Sequence, residues 1–126
     1  MNEKKLKYNR EFYIKNKERL LEYQKERYKK LLTIFQNWRQ TLSCSVCNEK
    51  ETVCLEFHHY SDEKKEGNVI HMVTRSAKAV ARELEKCIVV CANCHRKIHF
   101  KNIPFSYEEG ELSESFMKFH SLEKDK

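Results

Sequence analysis

Cys91-Ala92-Asn93-Cys94-His95-Arg96-Lys97-Ile98-His99 is the stretch on which the fold of this chain turns. Two residues between thiols let one turn of backbone wrap a tetrahedral ion, with sulfur–zinc distances of about 2.3 Å. A histidine follows the pair directly and another comes four positions later. On a helix that starts inside the pair, His95 and His99 share one face. A matching pair, Cys44-x-x-Cys47, lies upstream, with 43 residues between the two pairs. Together the pairs complete a closed four-sulfur site, which marks structural rather than catalytic zinc. The separation exceeds that of a simple zinc ribbon, so a functional insert is expected between the knuckles. A disulfide framework fits poorly with the N-terminus MNEKKLKYNR, which has no export signal, and a redox dithiol would not come paired. Cys54, expected in a strand, and Cys87, expected at a helix end, read as buried, inert thiols.

The insert reads as short elements. Thr52-Val53-Cys54-Leu55-Glu56-Phe57-His58-His59 has strand character, and a polar loop runs from Ser61 to Gly67. The spacing predicts a helix from Thr74 to Lys86, capped by Thr74 or Ser76, with Ala77, Val80, Ala81 and Leu84 on one side. Ile88-Val89-Val90 is a very short apolar strand, and Asn93 to Phe100 reads as a helix. After Pro104, Ser106-Tyr107-Glu108-Glu109 has capping-box spacing, and Ser113 to Leu122 is expected as a final helix. Met72, Phe116, Met117 and Phe119 read as packing residues, and His71 and His120 as structural or exposed.

Upstream of the knuckles, Glu3 to about Gln40 contains no Gly or Pro and is dominated by helix formers. Its first half has a weak apolar stripe and could need DNA or a partner to become ordered. From Tyr28 through Leu31, Leu32, Phe35 and Trp38 the stripe strengthens, so the second half is expected to pack on the metal-bound core. The charge is uneven. The chain carries +6 overall, yet residues 1–43 hold 12 Lys/Arg against 5 Asp/Glu, a balance of +7. Such asymmetry points to a polyanion, and the interleaved Tyr side chains suit phosphate contact and stacking. Arg19 and Arg27 are candidate DNA contacts on this arm. A rival use of the arm, a coiled coil that makes a homodimer, is weakened by poor heptads.

The totals set limits. With 126 residues, 2 Gly, 1 Pro, 35% charged residues and a mean hydropathy of −0.83, the chain has room for one domain with a thin apolar core. A domain so built often needs a metal to hold it together. No apolar run approaches the roughly 20 residues of a membrane helix, so an intracellular, cytoplasmic protein with no membrane partner is expected.

Cys44-x-x-Cys47, Leu55-Glu56-Phe57-His58-His59 and the Cys91–His99 stretch together resemble the HNH (ββα-metal, His-Me finger) endonucleases. The likeness is to bacterial and phage members with a four-cysteine zinc site, a group that includes phage enzymes resolving branched DNA. Glu-x-His-His also resembles the colicin nucleases. The resemblance covers about residues 44–100. It implies an α-rich α+β fold: a basic helical arm (1–43), a ββα-metal core stapled by zinc (44–100) and a helical tail (101–126). It implies that His58 and His95 bind a catalytic Mg²⁺ or Mn²⁺, with His99 a further ligand or phosphate contact. His59 would be the base that activates water, and Glu56 would orient a histidine or pair with a basic residue. Many members carry an Asn shortly before the second knuckle, where this chain reads Lys86-Cys87-Ile88; Asn93 lies inside the knuckle.

The chemistry suits these residues. Phosphodiester hydrolysis needs a base with a pKa near working pH, which histidine supplies, and a cation to stabilise developing charge. Arg96, Lys97, Lys64 and Lys65 are candidate holders of the flanking phosphates. The expected activity is metal-dependent cleavage of DNA, duplex or branched, with the core helix in the minor groove. The alternative is a non-catalytic zinc module that binds nucleic acid.

Overall fold

Asn2 starts the chain's first helix by accepting the Lys5 amide on its side chain, and nothing interrupts that helix for 37 residues. In the computed structural model, which describes residues 2–60 and 67–125, α1 spans Glu3–Arg39. A 3-10 turn (Thr52–Cys54) leads into β1 (Leu55–His59), followed by α2 (Val69–Met72), α3 (Ala77–Leu84) and β2 (Cys87–Cys91). Two helices, α4 (Ala92–Lys101) and α5 (Glu111–Glu123), complete the described elements. The fold is α-rich, with a two-stranded antiparallel sheet that pairs Leu55 with Cys91 and His59 with Cys87.

Only the last turns of α1 are buried, through Ile34, Phe35 and Trp38. Ile34 lies outside the stripe read from sequence, while Tyr28 within that stripe is exposed. The first half of α1 is helical although little packs against it. Trp38 and Phe35 meet Phe116 of α5 and Phe57 of β1, with Trp38 and Phe57 stacked at 6.0 Å. The Trp38 indole donates to Ser115 Oγ at 3.0 Å, so its polar edge is satisfied where its rings are buried. This helical cluster, with Val69, Met72, Val80 and Leu84, forms one half of the core. The other half is the sheet, α4 and the first knuckle, through Leu55, Ile88, Val90 and Ile98.

Several boundaries differ from expectation. Thr52-Val53-Cys54 is a 3-10 turn rather than strand, closed by the Cys54 amide donating to the Glu51 carbonyl. Pairing stops at Leu55 because its partner, Cys91, is where β2 turns into α4. A further helix not expected from sequence, α2, buries Val69 and Met72, and the helix expected over 74–86 is the shorter α3, which begins only where the Ser76 hydroxyl caps the Ala79 amide. It ends at Leu84 because the chain must enter β2 at Cys87, which opens a strand instead of closing a helix. Cys54 is half-buried rather than buried. The capping box at Ser106–Glu109 is not used. Phe105 packs on His58 and Tyr107 stacks on Tyr60, which holds this segment extended. The last helix starts after Gly110, whose φ of 83° favours glycine. Lys64, Lys65 and the loop from Ser61 to Glu66 lie outside the described residues. Among the described residues, no helix is long and apolar enough to cross a membrane.

Candidate metal centres

Each knuckle is shaped by backbone amides that point at sulfur. Val46 and Cys47 donate to Cys44 Sγ at 3.4 and 3.5 Å, and Cys94 donates to Cys91 Sγ at 3.4 Å as the cap of α4. Asn48, at φ 65°, turns the first knuckle back, and Ser45 N–H bonds to Val89 O, which ties that knuckle to β2. The two pairs thereby meet: Sγ atoms of Cys44, Cys47, Cys91 and Cys94 all lie within 4.8 Å of one another. Cys47 and Cys91 are 3.6 Å apart and none of the four is in a disulfide. Tetrahedral zinc with 2.3 Å bonds sets its sulfurs about 3.8 Å apart, so the donors fit that ion. Their electrostatics agree. Burial works against ionising Cys44, but amides of Cys47, Cys91 and Val46 outweigh it and bring the thiol to about 6. Burial and the hydrogen bonds of Cys91, Cys47 and Cys44 push Cys94 up to about 12. Four crowded thiols resist ionising together, and a divalent cation removes that conflict. Four cysteines so placed could hold a metal ion such as zinc.

A second group sits on the other side of α4. Ring centroids of His58, His95 and His99 are 4.8 to 5.1 Å apart, and one nitrogen of each lies within 4.8 Å of the others. The i, i+4 spacing on α4 supplies two rings, and β1 supplies the third. His58 is buried, with Phe105 against its ring, while His99 is exposed. Glu56, two residues before His58 and on the same strand face, reaches His95 Nδ1 at 2.6 Å. That contact orients the His95 ring and leaves Nε2 uncommitted to the carboxylate.

No family model, curated protein or solved structure matches this chain.

His59 leaves β1 on the opposite face from His58, as strand alternation requires. There its Nε2 meets Glu83 Oε1 at 2.9 Å, and the second oxygen of Glu83 takes Lys86 Nζ at 3.2 Å. The carboxylate is 1% exposed and the His59 side chain 8%. Sequence reading missed Glu83, although a signal existed: it lies three residues after Val80, on the apolar side of α3. Phe105 was missed too, and no local pattern marks it.

The basic candidates are scattered. Arg96 is exposed one residue after His95 on α4. Lys97 instead lines a recess with Cys47, Cys54, Cys91 and Cys94, on the sulfur side. Arg19 and Arg27 are exposed on α1. Arg27 joins Lys30, Arg75, His120 and Lys124 around a cleft of about 510 Å³ between α1, the α2–α3 link and α5. Burial lowers the His120 pKa, and the nearby charges of Lys124 and Lys30 lower it further.

Proposed function

We propose that this chain is a metal-dependent DNA endonuclease of the HNH (ββα-metal) type, with β1, β2 and α4 as its catalytic core. The observation that carries the reading is the convergence of His58, His95 and His99 beside a four-cysteine cluster, with His59 following His58 on β1 and held by Glu83 on the strand's other face. The thiols fit a closed structural zinc site. Three imidazoles fit an open site, which leaves room for water and a phosphate oxygen. A divalent cation held there would polarise the phosphoryl oxygen and offset charge on the leaving alkoxide, and three imidazole donors suit a borderline transition ion better than oxygen-seeking Mg²⁺.

The chain's own residues do the rest. Glu56 holds the His95 ring in line. His59 takes a proton from the attacking water, the general-base task for which an imidazole is suited. Because His58 and His59 leave β1 on opposite faces, the scissile phosphate must lie across the strand's end to reach both. Arg96 on α4 stands ready for a neighbouring phosphate, and exposed cations of α1 supply sequence-independent affinity.

Plasmid cleavage by the purified chain with Mg²⁺, Mn²⁺ or EDTA tests this, alongside a zinc-retaining His59→Ala variant. Metal-dependent nicking or linearisation, reduced roughly 10²-fold or more in the variant, is expected. If both proteins bind plasmid and branched DNA and neither cuts, the chain is a zinc-stabilised nucleic-acid-binding module.

A further inference from the structure

We propose that Glu83 is a positioning residue for His59: its carboxylate accepts the Nε2 proton and leaves the Nδ1 lone pair as the base. This rests on the base role given to His59 above. A carboxylate that is 1% exposed is costly to bury unless partners compensate it. Here Lys86 Nζ at 3.2 Å keeps it ionised, and an ionised carboxylate can only accept hydrogen bonds. The 2.9 Å contact therefore makes Nε2 the donor. A neutral imidazole carries one N–H, so Nδ1 is left with the lone pair.

The rest of the molecule holds this geometry in place. Glu83 is fixed because α3 buries Ala79, Val80 and Leu84 around it. The strand register sets His59 opposite Cys87, whose thiol donates back to the Glu83 carbonyl at 3.4 Å. Helix end and strand end are thus tied at the residue pair that matters. Among the described residues Nδ1 of His59 has no hydrogen bond, and no side-chain nitrogen or oxygen is buried without a partner. A histidine with one ring nitrogen anchored on a carboxylate is the arrangement in which hydrolases fix a general base.

The test combines a spectrum with kinetics on the 126-residue, zinc-loaded chain. Long-range ¹H–¹⁵N correlation, with His59 assigned through His59→Ala, is expected to show Nε2 protonated and Nδ1 bare. Glu83→Gln keeps size but can turn its NH₂ towards the ring. It is expected to mix the tautomers and lower kcat roughly 10- to 100-fold at unchanged KM and zinc content. Glu83→Asp, still an anion, should recover the tautomer and part of the rate. A native His59 protonated at Nδ1 overturns the proposal. So does a Glu83→Gln chain with unchanged tautomer and unchanged kcat. If the native chain cuts no DNA, the nuclease reading fails, while the spectrum still decides whether Glu83 holds the ring.

Discussion

Six cysteines divide by their surroundings, and that division carries stability. Cys44, Cys47, Cys91 and Cys94 converge, Cys87 is buried against α3, and Cys54 sits half-buried at the edge of the sulfur recess. A structural zinc supplies on the order of 10 kcal/mol of apparent folding free energy, comparable to the whole stability of a small domain. Removing the metal with a strong chelator, or replacing Cys94 by Ala, is therefore expected to abolish the cooperative thermal transition seen by calorimetry. One zinc per chain should be released by thiol modification. A metal-stripped chain that melts as before would sink the four-sulfur reading. At this scale the sequence was most legible, because Cys-x-x-Cys spacing encodes a knuckle locally. Glu83 was not, because its worth depends on a ring 24 residues away in the chain.

Helix α1 shows two regimes within one element. Its first half is solvated, with Tyr8, Tyr13 and Tyr23 more than half exposed, whereas Phe35 and Trp38 are 1% exposed. Helix propensity sets the continuous run, since no Gly or Pro interrupts it, but burial decides where the element contributes to stability. Trp38→Ala is expected to cost about 3–5 kcal/mol in urea unfolding, because its ring no longer packs on Phe57 and Phe116. Tyr23→Ala should stay within about 0.5 kcal/mol. Equal effects at both sites would mean that α1 does not dock on α5 as described. The strands were harder to bound from sequence. Thr52-Val53-Cys54 has β-prone residues yet forms a 3-10 turn, since the partner strand ends opposite Leu55.

Across the whole molecule, the arm's cations and the histidine group lie on different elements. The histidine group lies on the sheet and α4, while the cations concentrate on α1 and around the cleft it forms with α5. On the function proposed above, α1 is the electrostatic handle and the sheet with α4 the reactive core. Deleting residues 2–22, which contribute no buried side chain, should leave the melting temperature unchanged. It should weaken DNA binding, and the salt dependence of log K should flatten by about 0.9 for each phosphate that the arm no longer neutralises. Fluorescence anisotropy across a salt series reads both effects. An unchanged slope would show that the arm does not touch the backbone of DNA.

What the sequence determined by itself was whatever a short window encodes. The two knuckles, the shared face of His95 and His99, the length of α1 and its charge all follow from spacing and composition over a few turns. Tertiary structure alone decided which of these meet. It brought β1 against α4 so that His58 joins the other two rings, laid Phe105 over that site, and set Glu83 on His59 across the opposite face. The physical reason is that such contacts depend on strand register and on which helix face is buried. Both are fixed by packing between distant segments.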